Sequence, residues 1–213
     1  MLIAEELLLV ASAPDGTGLG RSMELDCALG GALLIELVLD GHAELDGKVI
    51  RARAAPPAQR RLVEARDIVA ARARRPKALV TRLRRGVRQR LLADLVGSGV
   101  LADEPYRWLG LIPLHRYPVI DARSRDEVLD RLRAAVLDGQ RPSQRTAALA
   151  GMISAAKLEK RVFPDGNRRE VRRRLREIAE GDWAAKAVRD AIAAIHAATT
   201  AAAVAATSAT YSG

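Results

Sequence analysis

Met23 to Leu39, MELDCALGGALLIELVL, is the most apolar stretch of this chain, and its length and composition read as a helix. Paired glycines in a helix interior are intrinsically costly. Gly30-Gly31 at its centre therefore predicts a neighbouring helix that comes too close for side chains. Glu36 is a lone acid in apolar surroundings, expected to serve as partner to one of the many arginines rather than as a catalytic carboxylate. Gly41 ends the helix. In the following HAELDGKVIRAR, Asp46-Gly47 lies between short apolar runs, which is a two-residue hairpin signal.

A second stretch, Lys77 to Leu101, combines a core seam with concentrated positive charge. Leu79, Leu83, Val87, Leu91 and Leu95 recur every four residues, as on one stripe of a helix that Gly97 and Gly99 stop. Arg82, Arg84, Arg85, Arg88 and Arg90 fill the other faces. Arg85 and Arg88, three apart, are expected to emerge together within reach of one ligand.

Around these, Leu2–Ala11 is a short apolar helix running into Pro14-Asp15-Gly16 and the loop GTGLGR. That loop lacks the strand, helix and acidic residue of a dinucleotide site. Pro56-Pro57 breaks the chain, and Ala58–Arg75 reads as a polar, basic helix. Val100–Asp121, rich in aromatics and prolines, reads as an exposed hairpin or arm. Ser124–Leu137 is a helix with an N-cap serine, and Gln144–Lys157 is small, apolar and buried. Asn167 with Glu170 caps the arginine-dense RREVRRRLREIAE. A last helix from about Trp183 fades into an Ala/Thr/Ser-rich tail, so the expected division is a domain over residues 1–182 and a partly frayed terminal segment over 183–213. Apolar residues are 49% and aromatics 3%, so the core is aliphatic, which favours helix packing. The expected fold is mainly α: one domain around a helix bundle, with two short β-hairpins.

The residues exclude more chemistry than they suggest. Cys27 is the single cysteine, and His42, His115 and His196 have no ligand spacing, so no metal or other cofactor is expected. No Ser-His-Asp or Cys-His set has local support, and nothing marks an enzyme. Glu5 and Glu6 precede the first apolar run without a basic flank, unlike a signal peptide. What remains is basic surface: a net charge of +9 and a pI near 10.5, carried mainly by arginine. Two ligands compete for it. Nucleic acid would be met by a winged helix, with Arg82–Arg90 as recognition helix and Trp108–Arg116 as wing. A phosphorylated lipid headgroup would be met by an arginine pocket beside an inserting apolar loop.

Four segments in order resemble the Golgi phosphoprotein 3 family, phosphatidylinositol-4-phosphate-binding proteins with bacterial relatives: AEELLLVA, ALGGALLIELVLDGHAEL, LRRGVRQRLLADLVGSGVL and WLGLIPLHRYPVID. The Ala- and Arg-rich composition suits a bacterial, actinobacterial member. The resemblance implies a peripheral adaptor on the cytosolic face of a membrane, binding phosphatidylinositol 4-phosphate or related anionic lipid, with Arg85 and Arg88 on the phosphate. It implies further pocket or membrane-loop contacts at Arg21, Leu19, Arg82 and Arg84. The family's arginine in the long apolar helix falls here on Gly30, and its loop tryptophan near Arg21, so half of the headgroup pocket is kept. The resemblance also implies self-association through the hairpin, at Trp108, Leu109, Leu111 and Tyr117, and partner protein tails.

Overall fold

The fold is organised around α2, Met23–Leu39, whose side from Leu25 to Val38 is buried almost without interruption. It is seen in a computed structural model that describes residues 1–13, 15–17, 22–108, 112–181 and 193–204, with backbone alone at 107–108 and 112–113. α1 (Ile3–Ala11) lies against α2, and β1 (Ala43–Asp46) and β2 (Val49–Ala52) form an antiparallel hairpin. Then follow α3 (Arg60–Ala70), α4 (Pro76–Leu83), α5 (Val87–Gly97) and a second antiparallel hairpin, β3 (Glu104–Trp108) with β4 (Ile112–Arg116). The chain continues through α6 (Ala122–Val136), α7 (Gln144–Ala155), α8 (Glu159–Val162), α9 (Arg168–Glu180) and α10, residues 193–204. α4 packs on α2, α2 on α7, and α7 on α9, so the fold is mainly α with two small hairpins.

The two central glycines are where α2 is approached from different neighbours. A Cβ on Gly30 would stand 2.9 Å from the Arg84 nitrogen and 3.2 Å from the Val80 carbonyl oxygen. A Cβ on Gly31 would stand 2.5 Å from Thr199 Oγ1 of α10 and 3.2 Å from Met152 Sδ of α7. The close helix neighbour expected from Gly30-Gly31 is present twice. Glu36 also behaves as expected. Its Oε2 accepts from the Ile3 N–H at 2.5 Å and its Oε1 from Arg145, which also donates to Glu6 Oε1 at 3.0 Å. Burial pushes the Glu36 carboxyl up, while the Ile3 N–H and Arg145 oppose that shift.

Several boundaries differ from the expectation. The single helix read from Lys77 to the stop at Gly97 is two helices, broken at Arg84–Gly86, where Gly86 takes φ +62°. Its seam survives the break: Leu79, Leu83, Val87, Leu91 and Leu95 are all buried. Each buried aliphatic side chain is worth about 1.5–3 kcal/mol, against about 1 kcal/mol for an interior glycine, so the core holds the stripe in register across the turn. The helix read over 58–75 stops at Ala70. Arg74 instead runs alongside β2, its carbonyl accepting from the Ile50 N–H at 2.8 Å. The N-cap of α6 is Asp121, whose carboxylate takes the Ser124 N–H, rather than Ser124 itself. The first hairpin turns on Gly47-Lys48, one residue later than read, with Gly47 at φ +59°. The expected division at 182–183 falls outside the described residues. Within the terminal segment, α10 sends Ile195, Ala202 and Ala203 into the core.

Candidate anion-binding site

The break between α4 and α5 creates the site. Because Gly86 adopts a left-handed conformation, the chain turns at Arg84–Arg85 and α5 restarts at Val87. Gly30 lets this turn sit directly on α2. Any side chain at position 30, the arginine implied by the resemblance included, would collide with the backbone of Arg84.

Arg85 and Arg88 are therefore not two teeth of one helix. Arg88, 6% exposed, is spent on α2: its Nε donates to Asp26 Oδ1 at 2.9 Å and its Nη2 to the Ser22 carbonyl at 2.7 Å. Asp26 lies in the first turn of α2, and Ser22 is the N-cap whose Oγ accepts from the Leu25 N–H. Arg84 is half-buried, with Nη1 against Met23 Sδ at 2.6 Å. Arg85 is exposed. Its backbone is pinned, since its N–H donates to the Arg82 carbonyl and its carbonyl accepts from Arg90 Nη2 at 2.9 Å. Its guanidinium meets no carboxylate among the described residues, and neither does that of exposed Arg82. The pair expected to share one ligand thus divides into an anchor, Arg88, and an exposed cation, Arg85, without a carboxylate partner among the described residues. Arg21 and Leu19 lie outside the described residues.

Charge counting isolates the surface to which this turn belongs. Residues 72–90 hold nine arginines and lysines and no acid, equal to the +9 of the whole chain, so everything else balances at 26 against 26. Arg72, Arg74 and Arg75 were hidden in the sequence by the helix read over 58–75, yet the acid-free run was there to be counted. Elsewhere among the described residues, the arginines that reach into the core or bridge two elements meet acids. Arg61 pairs with Asp94 and Glu64, Arg145 with Glu6 and Glu36, Arg172 with Glu159, and Arg174 with Glu177.

The second hairpin stands apart. Glu104 pairs with Arg116, and Tyr106 faces Leu114 in register; both apolar side chains are more than one-third exposed. Trp108 pairs with Ile112 in the backbone register, and Leu109 and Leu111 lie outside the described residues. Tyr117 is half-buried against the core with its ring stacked on His115, so it belongs to the hairpin's base. The base rests on Gly16, where a Cβ would stand 2.3 Å from the Tyr117 and Pro118 backbone. The winged-helix reading loses its recognition helix, because Arg82–Arg90 is two helix ends and a turn.

Among the described residues no cluster of three or more His, Cys, Asp or Glu could hold a metal ion. Cys27 is buried, and burial raises its thiol pKa, the opposite of an activated nucleophile. No helix among the described residues is long and apolar enough to cross a membrane. No curated protein matches the chain. The family model described as Golgi phosphoprotein 3 (GPP34) matches residues 3–195, from the start of α1 into α10. With nearly the whole described fold inside that match, the chain belongs to the Golgi phosphoprotein 3 family.

Proposed function

We propose that this protein is a non-enzymatic, peripheral membrane adaptor that docks on anionic lipid headgroups, phosphatidylinositol 4-phosphate or a relative, through the turn between α4 and α5. The observation that carries the reading is Arg85: an exposed guanidinium on a pinned backbone, with no carboxylate partner among the described residues, inside an acid-free cationic segment. Its planar fork suits a phosphate oxygen pair, and a charge-assisted contact of this kind is worth about 1.5–3 kcal/mol. Arg88 serves the site from behind, fixing the start of α5 on the start of α2. Family membership supports a lipid-facing role. With Gly30 in place of the pocket arginine, the headgroup is held at the surface rather than enclosed, and charge outweighs the position of the phosphate on the ring. Docked on the cytosolic face, the protein would hold partner protein tails and self-associate through the exposed Tyr106–Leu114 face of the second hairpin.

Liposome co-sedimentation tests this. Wild type should bind vesicles containing phosphatidylinositol 4-phosphate or phosphatidylglycerol and spare pure phosphatidylcholine. Arg85→Ala should lower the affinity on the order of 10-fold. Equal sedimentation of wild type and Arg85→Ala on anionic vesicles would refute the assignment of the site.

A further inference from the structure

Three helices, α7, α9 and α10, meet around a cavity of about 590 Å³, and none of its lining residues belongs to the turn that holds Arg85. The side chains explain why a space is left. The His196 ring of α10 packs against Gly151 of α7 and brings those two helices together. The wall positions beside that contact are short, among them Ala155, Ala179, Ala193 and Ala197, and their methyl groups cannot reach across. Protein interiors otherwise leave few voids larger than a water molecule. A space of this size falls in the range of about 300–1,000 Å³ in which proteins hold small organic ligands.

The charged groups on its walls favour an anion. Lys157 stands at the end of α7 and Arg176 on α9, against one acid, Glu180. Lys157 is the one non-glycine residue with a left-handed backbone among the described residues, at φ +57°. Its N–H donates to the Ser154 carbonyl at 3.1 Å and the Leu158 N–H to the Ile153 carbonyl at 3.0 Å, closing the helix by a turn in which glycine is the usual residue. A lysine held there carries backbone strain that a glycine would not, and such strain gathers where a side chain has work to do. Its ion pair does not account for it. Glu24 lies 3.5 Å away with the lysine side chain largely exposed, and pairs of that kind add little stability. Arg176 is also exposed and meets no carboxylate among the described residues, although Arg173 and Arg174 on the same helix both reach Glu177. Burial keeps the His196 ring neutral at pH 7, so it adds no charge to the wall.

We propose that this cavity binds a small organic acid, a carboxylate carried on an apolar body. Lys157 and Arg176 hold the carboxylate, Arg176 through its planar fork, and Ser154 adds a hydroxyl donor. The apolar body lies against Leu175 and the alanine methyls. With Glu180 on the same wall the lining groups sum to one positive charge, which matches a monoanion better than a phosphate dianion. The site is separate from the lipid-facing turn, and neither assignment depends on the other.

Octanoate is the probe, with 1-octanol as the uncharged molecule of the same chain and acetate as the same charge without it. Binding is read from the Cε1–H NMR signal of His196, assigned by elimination with His42→Gln and His115→Gln, and from the melting temperature. Octanoate should move the signal saturably and raise the melting temperature, while octanol and acetate at the same concentration leave both unchanged. Arg176→Gln should weaken octanoate binding on the order of 10-fold. Lys157→Gly should weaken it by about as much and yet raise the melting temperature of the unliganded protein, because the strain goes with the side chain. Those opposite signs separate a ligand-holding lysine from one that merely ends a helix. No movement of the His196 signal with octanoate would overturn the proposal. So would octanol binding as tightly as octanoate, which would leave an apolar void without anion recognition, or unchanged octanoate affinity in both variants.

Discussion

His196 makes the protein's stability fall on the acid side of neutrality. On α10 its ring packs against Gly151 of α7, so close that a Cβ at position 151 would stand 1.7 Å from Cε1. Its Nε2 is hidden from solvent without a hydrogen-bond partner, and burial depresses the imidazole pKa from 6.5 to about 4. The folded value lies below the unfolded one, so between the two the unfolded state binds more protons. The stability held by the neutral ring is complete above about pH 6.5, falls as pH drops toward 4, and levels off below that. A difference of this size is worth about 3 kcal/mol at the limit, most of it already lost near pH 4.5. Lys157, Arg176 and Glu180 line the adjoining cavity of about 590 Å³; two cations against one acid give the imidazolium no net rescue. The measurement is urea or thermal unfolding of wild type and His196→Leu across this pH range. Every other group titrates in both proteins, so the difference between the curves belongs to His196. Wild type should lose about 2–3 kcal/mol more than the variant on acidification, or roughly 5–10 °C in melting temperature for a domain this size. Parallel curves would refute the account, showing that the ring reaches water in the folded state.

Two further perturbations separate anchor from ligand at the candidate site. Arg88→Ala strands Asp26 and the Ser22 carbonyl and should cost about 3 kcal/mol in urea unfolding, whereas Arg85→Ala should stay within about 0.5 kcal/mol. Equal costs would undo the division of roles. Gly30→Ala sets two effects against each other. Helix propensity favours alanine by about 1 kcal/mol, but the new Cβ meets backbone of Arg84 and Val80, which no rotamer change can clear, so a net loss of about 1–2 kcal/mol is expected. A raised melting temperature would mean that the turn shifts without cost.

The sequence was most legible where one periodicity and one partner type sufficed. The four-residue stripe from Leu79 to Leu95 identified buried positions correctly even though the helix carrying it is broken. Asn167 was readable as a cap because its carboxamide and the following N–H groups are local, and it accepts from Arg169 and Glu170 as expected. Glu36 was readable as an arginine's partner, but not that the arginine would be Arg145, more than a hundred residues away. The same limit explains Arg88. Its spacing from Arg85 was visible, whereas Asp26, the acid that takes it, lies 62 residues back and is brought near only by the packing of α5 on α2. Arg74 was missed for a related reason: a basic run before a proline continues the pattern of α3, and only its tertiary pairing with Ile50 makes it extended.

The two glycines of α2 join these observations into one mechanical arrangement. Gly30 receives the backbone of the cationic turn, and Gly31, one residue on, receives Thr199 of α10 and Met152 of α7. At the N-terminal end of the same helix, Asp26 holds Arg88 while Glu24 holds Lys157 at 3.5 Å, at the rim of the cavity beside His196. Of these, Gly31 is where α10 itself meets the helix that supports Arg85, through Thr199. The basic turn is thus not a surface decoration that tolerates any scaffold beneath it. Its position is set by a helix that, one residue further along, is also packed by the last described element of the chain.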